Sequence, residues 1–115
     1  MEASKNKVRV ASEKDLAEGT SSIVEVAGRA VALFRVQGRC YATQNACPHM
    51  GGPLGEGRLK DHVVTCPWHG WTWDVRTGAN LRNPKLRKLE CFAVTVEDGE
   101  VFIEPPEPPA EAPAQ

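Results

Sequence analysis

Short alternations of apolar and polar residues, broken by glycine-containing turns, run along most of the chain. Val8-Arg-Val10 alternates and predicts a first strand. Ser12 to Gly19 is a polar connection with one helical turn expected at Glu13–Ala17. Ser22–Val26 and Arg29–Val36 read as strands joined at Ala27-Gly28, a hairpin signal. Gln37-Gly38 marks a second tight turn, with Arg39–Thr43 as the returning strand. Leu54–Leu59 reads as a turn region punctuated by Gly55 and Gly57. His62–Thr65 is a short β-branched strand that ends at Cys66, and Trp71–Asp74 alternates large and polar side chains. Phe92–Val96 and Glu100–Ile103, joined at Asp98-Gly99, predict a closing hairpin. No stretch carries a long helical period. The pattern predicts an all-β antiparallel sandwich or small barrel.

A chain of 115 residues fits one small domain. The domain is expected over residues 1–104. Residues 105–115 are rich in Pro, Ala and Glu, have no apolar face to bury, and read as a disordered tail. Fourteen basic and fifteen acidic residues leave a formal charge of −1, so no bulk basic field points to nucleic acid. No apolar run approaches the ~20 residues needed to span a bilayer. The first residues lack the apolar core of a signal peptide. The expectation is a soluble, cytoplasmic, monomeric protein.

Two short loops change the picture. Cys47-Pro-His-Met-Gly-Gly52 and Cys66-Pro-Trp-His-Gly-Trp71 each offer one cysteine and one histidine. Thiolate and imidazole are the side chains that hold soft and borderline metals best. Pro48 and Pro67 remove a backbone donor after each cysteine, and Gly51, Gly52 and Gly70 let the chain fold closely around an ion. One reading is a structural zinc site. Zinc fingers, however, usually pair Cys with Cys and His with His. The mixed spacings C-x-H and C-x-x-H suit a dinuclear centre in which one iron takes both cysteines and the other both histidines, the ligation of Rieske [2Fe–2S] centres.

The stretch Cys47-Pro-His-Met-Gly-Gly-Pro-Leu54, followed by Cys66-Pro-Trp-His-Gly-Trp-Thr-Trp-Asp-Val-Arg-Thr-Gly78, resembles the Rieske-type ferredoxins. These include the ferredoxin components of ring-hydroxylating oxygenases and the small subunit of assimilatory nitrite reductase. The motifs cover about residues 40–78, with looser similarity up to about Ile103. The resemblance implies a Rieske-like β-sandwich or barrel with a small cluster-binding subdomain of two loops. It implies one [2Fe–2S] cluster per chain, with Cys47 and Cys66 on the buried iron and His49 and His69 on the outer iron. It implies a carrier of single electrons, not an enzyme, working between an NAD(P)H-dependent flavoprotein reductase and a terminal oxygenase. The alternative is a nitrite reductase small subunit bound to its large subunit. A zinc-bound structural or interaction module is the alternative from another class.

High-potential relatives carry an extra cysteine in each loop, joined as a disulfide, and a serine after the His-Gly pair. Here Met50 or Gly51, Trp68 and Trp71 stand at those places. The resemblance is therefore to the low-potential end of the family. Cys40 and Cys91 remain and read as core or near-core thiols. His62 reads as a strand histidine, exposed or satisfied, with a proton relay as the alternative. Trp68 is the candidate for stacking on a partner, while Trp71 and Trp73 read as core packing. Arg82, Lys85, Arg87 and Lys88 cluster in a stretch whose only acid is Glu90. They either steer an acidic partner or form a solvated connection. No Rossmann glycine motif for flavin or nicotinamide is present, so electrons must come from another protein.

Overall fold

The computed structural model describes residues 7–48, 51–68, 70–83 and 85–104. Among them ten strands follow in order: β1 (Val8–Ser12), β2 (Ser21–Val26), β3 (Arg29–Val36), β4 (Arg39–Gln44), β5 (Arg58–Lys60), β6 (Val63–Thr65), β7 (Thr72–Asp74), β8 (Cys91–Phe92), β9 (Val94–Glu97) and β10 (Glu100–Ile103). They make three antiparallel sheets, ordered β1-β10-β9, β2-β3-β4-β8 and β5-β6-β7. The expected all-β antiparallel class is the one observed. The proline-rich tail lies outside the described residues, as do His49 and His69.

Strand β3 sits between two cores. Its run Val31-Ala-Leu-Phe34 is apolar without a break, and all four residues are buried. Successive side chains point to opposite faces. Val31 and Leu33 join Val26, Ala42, Phe92, Val101 and Ile103 in the core shared with the β1-β10-β9 sheet. Ala32, Phe34 and Val36 join Leu54, Val64, Trp73, Val75 and Leu89 in the other core. A strand buried on both faces needs no polar alternation. Cys47 and Cys66 belong to this second core. One face of the strand that holds the sandwich together thus belongs to the core that contains both cysteines.

The three predicted tight turns are present. Ala27-Gly28, Gln37-Gly38 and Asp98-Gly99 each have both central residues at positive φ, between 51° and 83°. That geometry matches the twist of the paired strands. Glu18 reaches the second turn, where its carboxylate accepts the N–H groups of Gln37 and Gly38. These two donors hold its carboxyl below the ordinary glutamate range.

Several expectations need correction. Leu54–Leu59 is not only a turn: a 3-10 helix over Leu54–Glu56 leads into β5, which pairs Arg58–Lys60 with Val63–Thr65. The helical turn near the start is a 3-10 turn over Glu13–Asp15. Phe92–Val96 is not one strand. Phe92 pairs with Ala42 in the middle sheet, while Val94 pairs with Ile103 in the other. The chain changes sheets at Ala93. Cys91 is therefore exposed and not a core thiol, because the edge strand β8 turns Phe92 inward instead. Cys40 is half-buried beside the sandwich core, as expected. No helix of the described residues is long and apolar enough to cross a membrane.

Candidate metal centre

The two cysteine loops are closed by the same hydrogen bonds. The Cys47 N–H donates to Gly52 O at 2.9 Å, and the Gly51 N–H donates to Cys47 O at 2.7 Å. The Cys66 N–H donates to Trp71 O at 2.8 Å, and the Gly70 N–H donates to Cys66 O at 3.0 Å. Gly51 and Gly70 occupy the same place in each loop, with φ of 81° and 75°. A residue with a Cβ adopts that conformation only at a cost, so glycine is favoured at both places.

Each loop stands on its own support. Ahead of the first, Asn45 accepts the Leu54 N–H with its carbonyl and the Gly55 N–H with Oδ1, both at 2.8 Å. Gly55 itself lies against β2, where a Cβ would stand 2.7 Å from Ser22 O. The second loop stands on the β6–β7 ladder, with Thr65 opposite Thr72 at its base. Trp73, fully buried on β7, lies 6.2 Å from Trp71, ring centre to ring centre. Both tryptophans pack as expected, since Trp71 is a partly buried member of the same core.

Cys47 and Cys66 are 2% and 3% exposed, and neither is in a disulfide. Two buried thiols meeting in one core have the chemistry of a soft-metal pair, and no disulfide competes for them. Gly52 closes the space between the loops. A Cβ there would stand 2.8 Å from Cys66 Sγ and 3.0 Å from the Trp68 ring. The backbone of the first loop is thus pressed against the thiol and the tryptophan of the second. The described residues fit an iron–sulfur group held between the loops. Replacing Gly52 by alanine is expected to halve the bound iron or worse, and to destabilise the chain by about 1–3 kcal/mol. Gly51→Asn, in open space and with a residue that tolerates positive φ, is expected to keep the iron and to cost less stability than Gly52→Ala. Iron analysis with thermal melting checks both.

Of the four ligand candidates, the structure brings Cys47 and Cys66 into one core. His49 and His69 fall outside the described residues. His62 is half-buried in the β5–β6 turn, edge-on to Tyr41 at 5.7 Å. It takes no part in the loops. Trp68 is 56% exposed. Sequence reasoning missed Asn45, Gln44 and Asn80. Asn80 is fully buried, and its Oδ1 accepts the N–H groups of Arg82 and Asn83 at 2.8 and 3.0 Å. A lone asparagine before a basic, proline-interrupted stretch carried only a faint turn signal.

The family model for the Rieske [2Fe–2S] domain matches residues 6–93. Ferredoxin CarAc of Metapseudomonas resinovorans is 36% identical over 97 residues, covering 84% of this chain and 91% of that protein. A solved complex of reduced oxygenase and oxidised ferredoxin in carbazole 1,9a-dioxygenase matches with a TM-score of 0.80 and 34% identity, over 86% of this chain and 93% of that one. A solved structure described as a nitrite reductase NADPH small subunit matches with a TM-score of 0.76 and 25% identity, over 84% and 96%. The chain belongs to the Rieske [2Fe–2S] domain family, whose cofactor is a [2Fe–2S] cluster.

Proposed function

We propose that this protein is a one-electron carrier, a Rieske-type ferredoxin that accepts electrons from an NAD(P)H-dependent flavoprotein reductase and delivers them to a terminal oxygenase. In this reading Cys47, Cys66, His49 and His69 hold the cluster, which supplies reversible one-electron transfer. The rest of the chain positions and shields it. The observation that carries the reading is the pair of identically closed loops, each with a buried cysteine, in one core shared with a face of β3. The likeness to a ferredoxin solved together with its oxygenase supports the oxygenase as acceptor. The free thiols of the half-buried Cys40 and the exposed Cys91 support, in this reading, a reducing compartment such as the cytoplasm. The 25%-identical nitrite reductase small subunit favours a second reading, in which the chain stays bound to a large subunit.

Affinity capture from the cells that make the protein separates these readings. The expected result is a flavoprotein and an oxygenase at low occupancy. The flavoprotein should bleach the visible absorption of the carrier with NAD(P)H, and the oxygenase should restore it. A siroheme subunit retained in equal amount through washing would overturn the oxygenase reading.

A further inference from the structure

The basic stretch noted in the sequence runs alongside both cysteine loops. The Leu81 N–H donates to Thr72 O at 3.0 Å, and Asn80 bridges to Trp73, so the stretch starts against the second loop's strand. Arg82, Asn83 and Leu86 share a cleft with Trp71. At the other end, the Gln44 N–H donates to Glu90 O at 2.8 Å, the Glu90 N–H donates to Gln44 Oε1 at 2.7 Å, and Gln44 Nε2 donates to Ala46 O at 2.7 Å, next to Cys47. Between these anchors, Leu89 packs in the same core as Cys47 and Cys66. The stretch is held in shape. Asn80 caps its start, and the Leu86 N–H donates to Asn83 O at 2.9 Å.

Its side chains face outward. Arg82, Lys85, Arg87 and Lys88 are all exposed, and none forms an ion pair among the described residues. The one acid, Glu90, is turned to Arg29 at 3.0 Å. Leu81 and Leu86 are exposed among these cations, and Trp68 is exposed on the second loop. The rest of the chain holds ten basic and fifteen acidic residues. A chain of nearly neutral total charge therefore concentrates positive charge beside its metal centre.

We propose that Leu81, Arg82, Lys85, Leu86, Arg87 and Lys88, together with Trp68, form a positively charged docking face that receives an acidic surface of the electron-transfer partner. This rests on the electron-carrier reading and names the chemistry of its partner. Exposed cations beside the loops steer an oppositely charged protein into an orientation that brings the centres close. The apolar residues among them supply contact area once the charges have met.

The test uses two acceptors of opposite charge, an acidic plastocyanin and a basic cytochrome c. The reduced protein is mixed with each in a stopped-flow instrument. Transfer to plastocyanin is expected to slow at least ~5-fold as ionic strength rises from about 0.01 M to about 0.15 M, because the screening length falls from about 30 to about 8 Å. Transfer to cytochrome c is expected to quicken over the same range. The variant Arg82→Gln/Lys85→Gln/Arg87→Gln/Lys88→Gln should lose at least ~5-fold on plastocyanin at low salt and gain on cytochrome c. Iron content and visible spectrum are read first on both proteins. An iron-free wild-type chain defeats the electron-carrier reading. An intact cluster in both, with the two acceptors changing alike or not at all, overturns the docking face alone. Co-sedimentation of the wild type, but not the variant, with phosphatidylserine vesicles would also overturn it, by making a membrane the acidic partner.

Discussion

Cys66→Ser is expected to yield a protein with no bound iron, no acid-labile sulfide and no visible colour. Cys47→Ser, His49→Ala and His69→Ala should do the same. The wild type is expected to be red-brown, with two irons and two sulfides per chain. Serine is close to cysteine in size, so the buried site in the Phe34–Trp73 core is not emptied by the change. What is lost is a ligand. Ligands recruited from positions 47 and 66 close a long loop, so binding and folding are linked. Structural zinc contributes about 10–16 kcal/mol to zinc-finger peptides, and even about 3 kcal/mol here would lower the melting temperature by ten degrees or more. Cys40→Ser and Cys91→Ser serve as the contrast. Cys40 lies by the other core, with Arg35 Nη1 at 3.4 Å from its sulfur, and Cys91 is exposed on an edge strand. Both variants should keep iron, colour and stability. Metal analysis, visible absorption and thermal melting decide the matter. A colourless wild type with one zinc would remove the iron–sulfur assignment, and a normal spectrum in His49→Ala would remove that histidine from the ligand set.

The class of the fold was legible because half-buried strands leave a period-two record and their turns need glycine. Ala27-Gly28, Gln37-Gly38 and Asp98-Gly99 fall where the chain turns, with the positive φ that those pairs supply. The Cys-x-His and Cys-x-x-His loops were legible because ligand chemistry is local. What stayed hidden was long-range. The pairing of β5 with β6 was masked by glycines that serve close contacts: a Cβ on Gly57 would meet Thr65 O at 2.4 Å. The change of sheet at Ala93 leaves no composition signal, since Phe92 and Val94 on either side of it are both apolar. The place of Arg82–Lys88 depends on Gln44 and Glu90, which are 46 positions apart. Their hydrogen bonds decide that the basic stretch lies beside the metal centre, and no local pattern encodes that.

The reduction potential is expected near the lower end of the Rieske range, roughly −150 mV or a little above. Hydrogen-bond donors to the sulfurs, and a disulfide that tightens the loops around them, stabilise the added electron and raise the potential. The only cysteines besides Cys47 and Cys66 are Cys40 and Cys91, placed on β4 and β8 and not in the loops. No disulfide can brace the loops. The position after the second loop's His-Gly pair is Trp71, an indole that stacks near Trp73 where high-potential relatives place a hydroxyl. A cluster so supported holds its extra electron less firmly. The histidines assigned to the outer iron add a pH dependence. An imidazole bound through one nitrogen can lose the proton on the other, and oxidised iron favours that loss more than reduced iron does. Loss of the proton therefore favours the oxidised state, and the potential should fall as pH rises into the alkaline range where an iron-bound imidazole gives up its remaining N–H. It should be flat near neutrality and fall only in alkaline solution. Protein-film voltammetry from about pH 6 to about pH 11 measures both, within the range where imidazole protons are lost. A neutral-pH potential close to about +300 mV would defeat the argument from missing donors. A trace flat to the alkaline limit would defeat the assignment of two histidines to the outer iron.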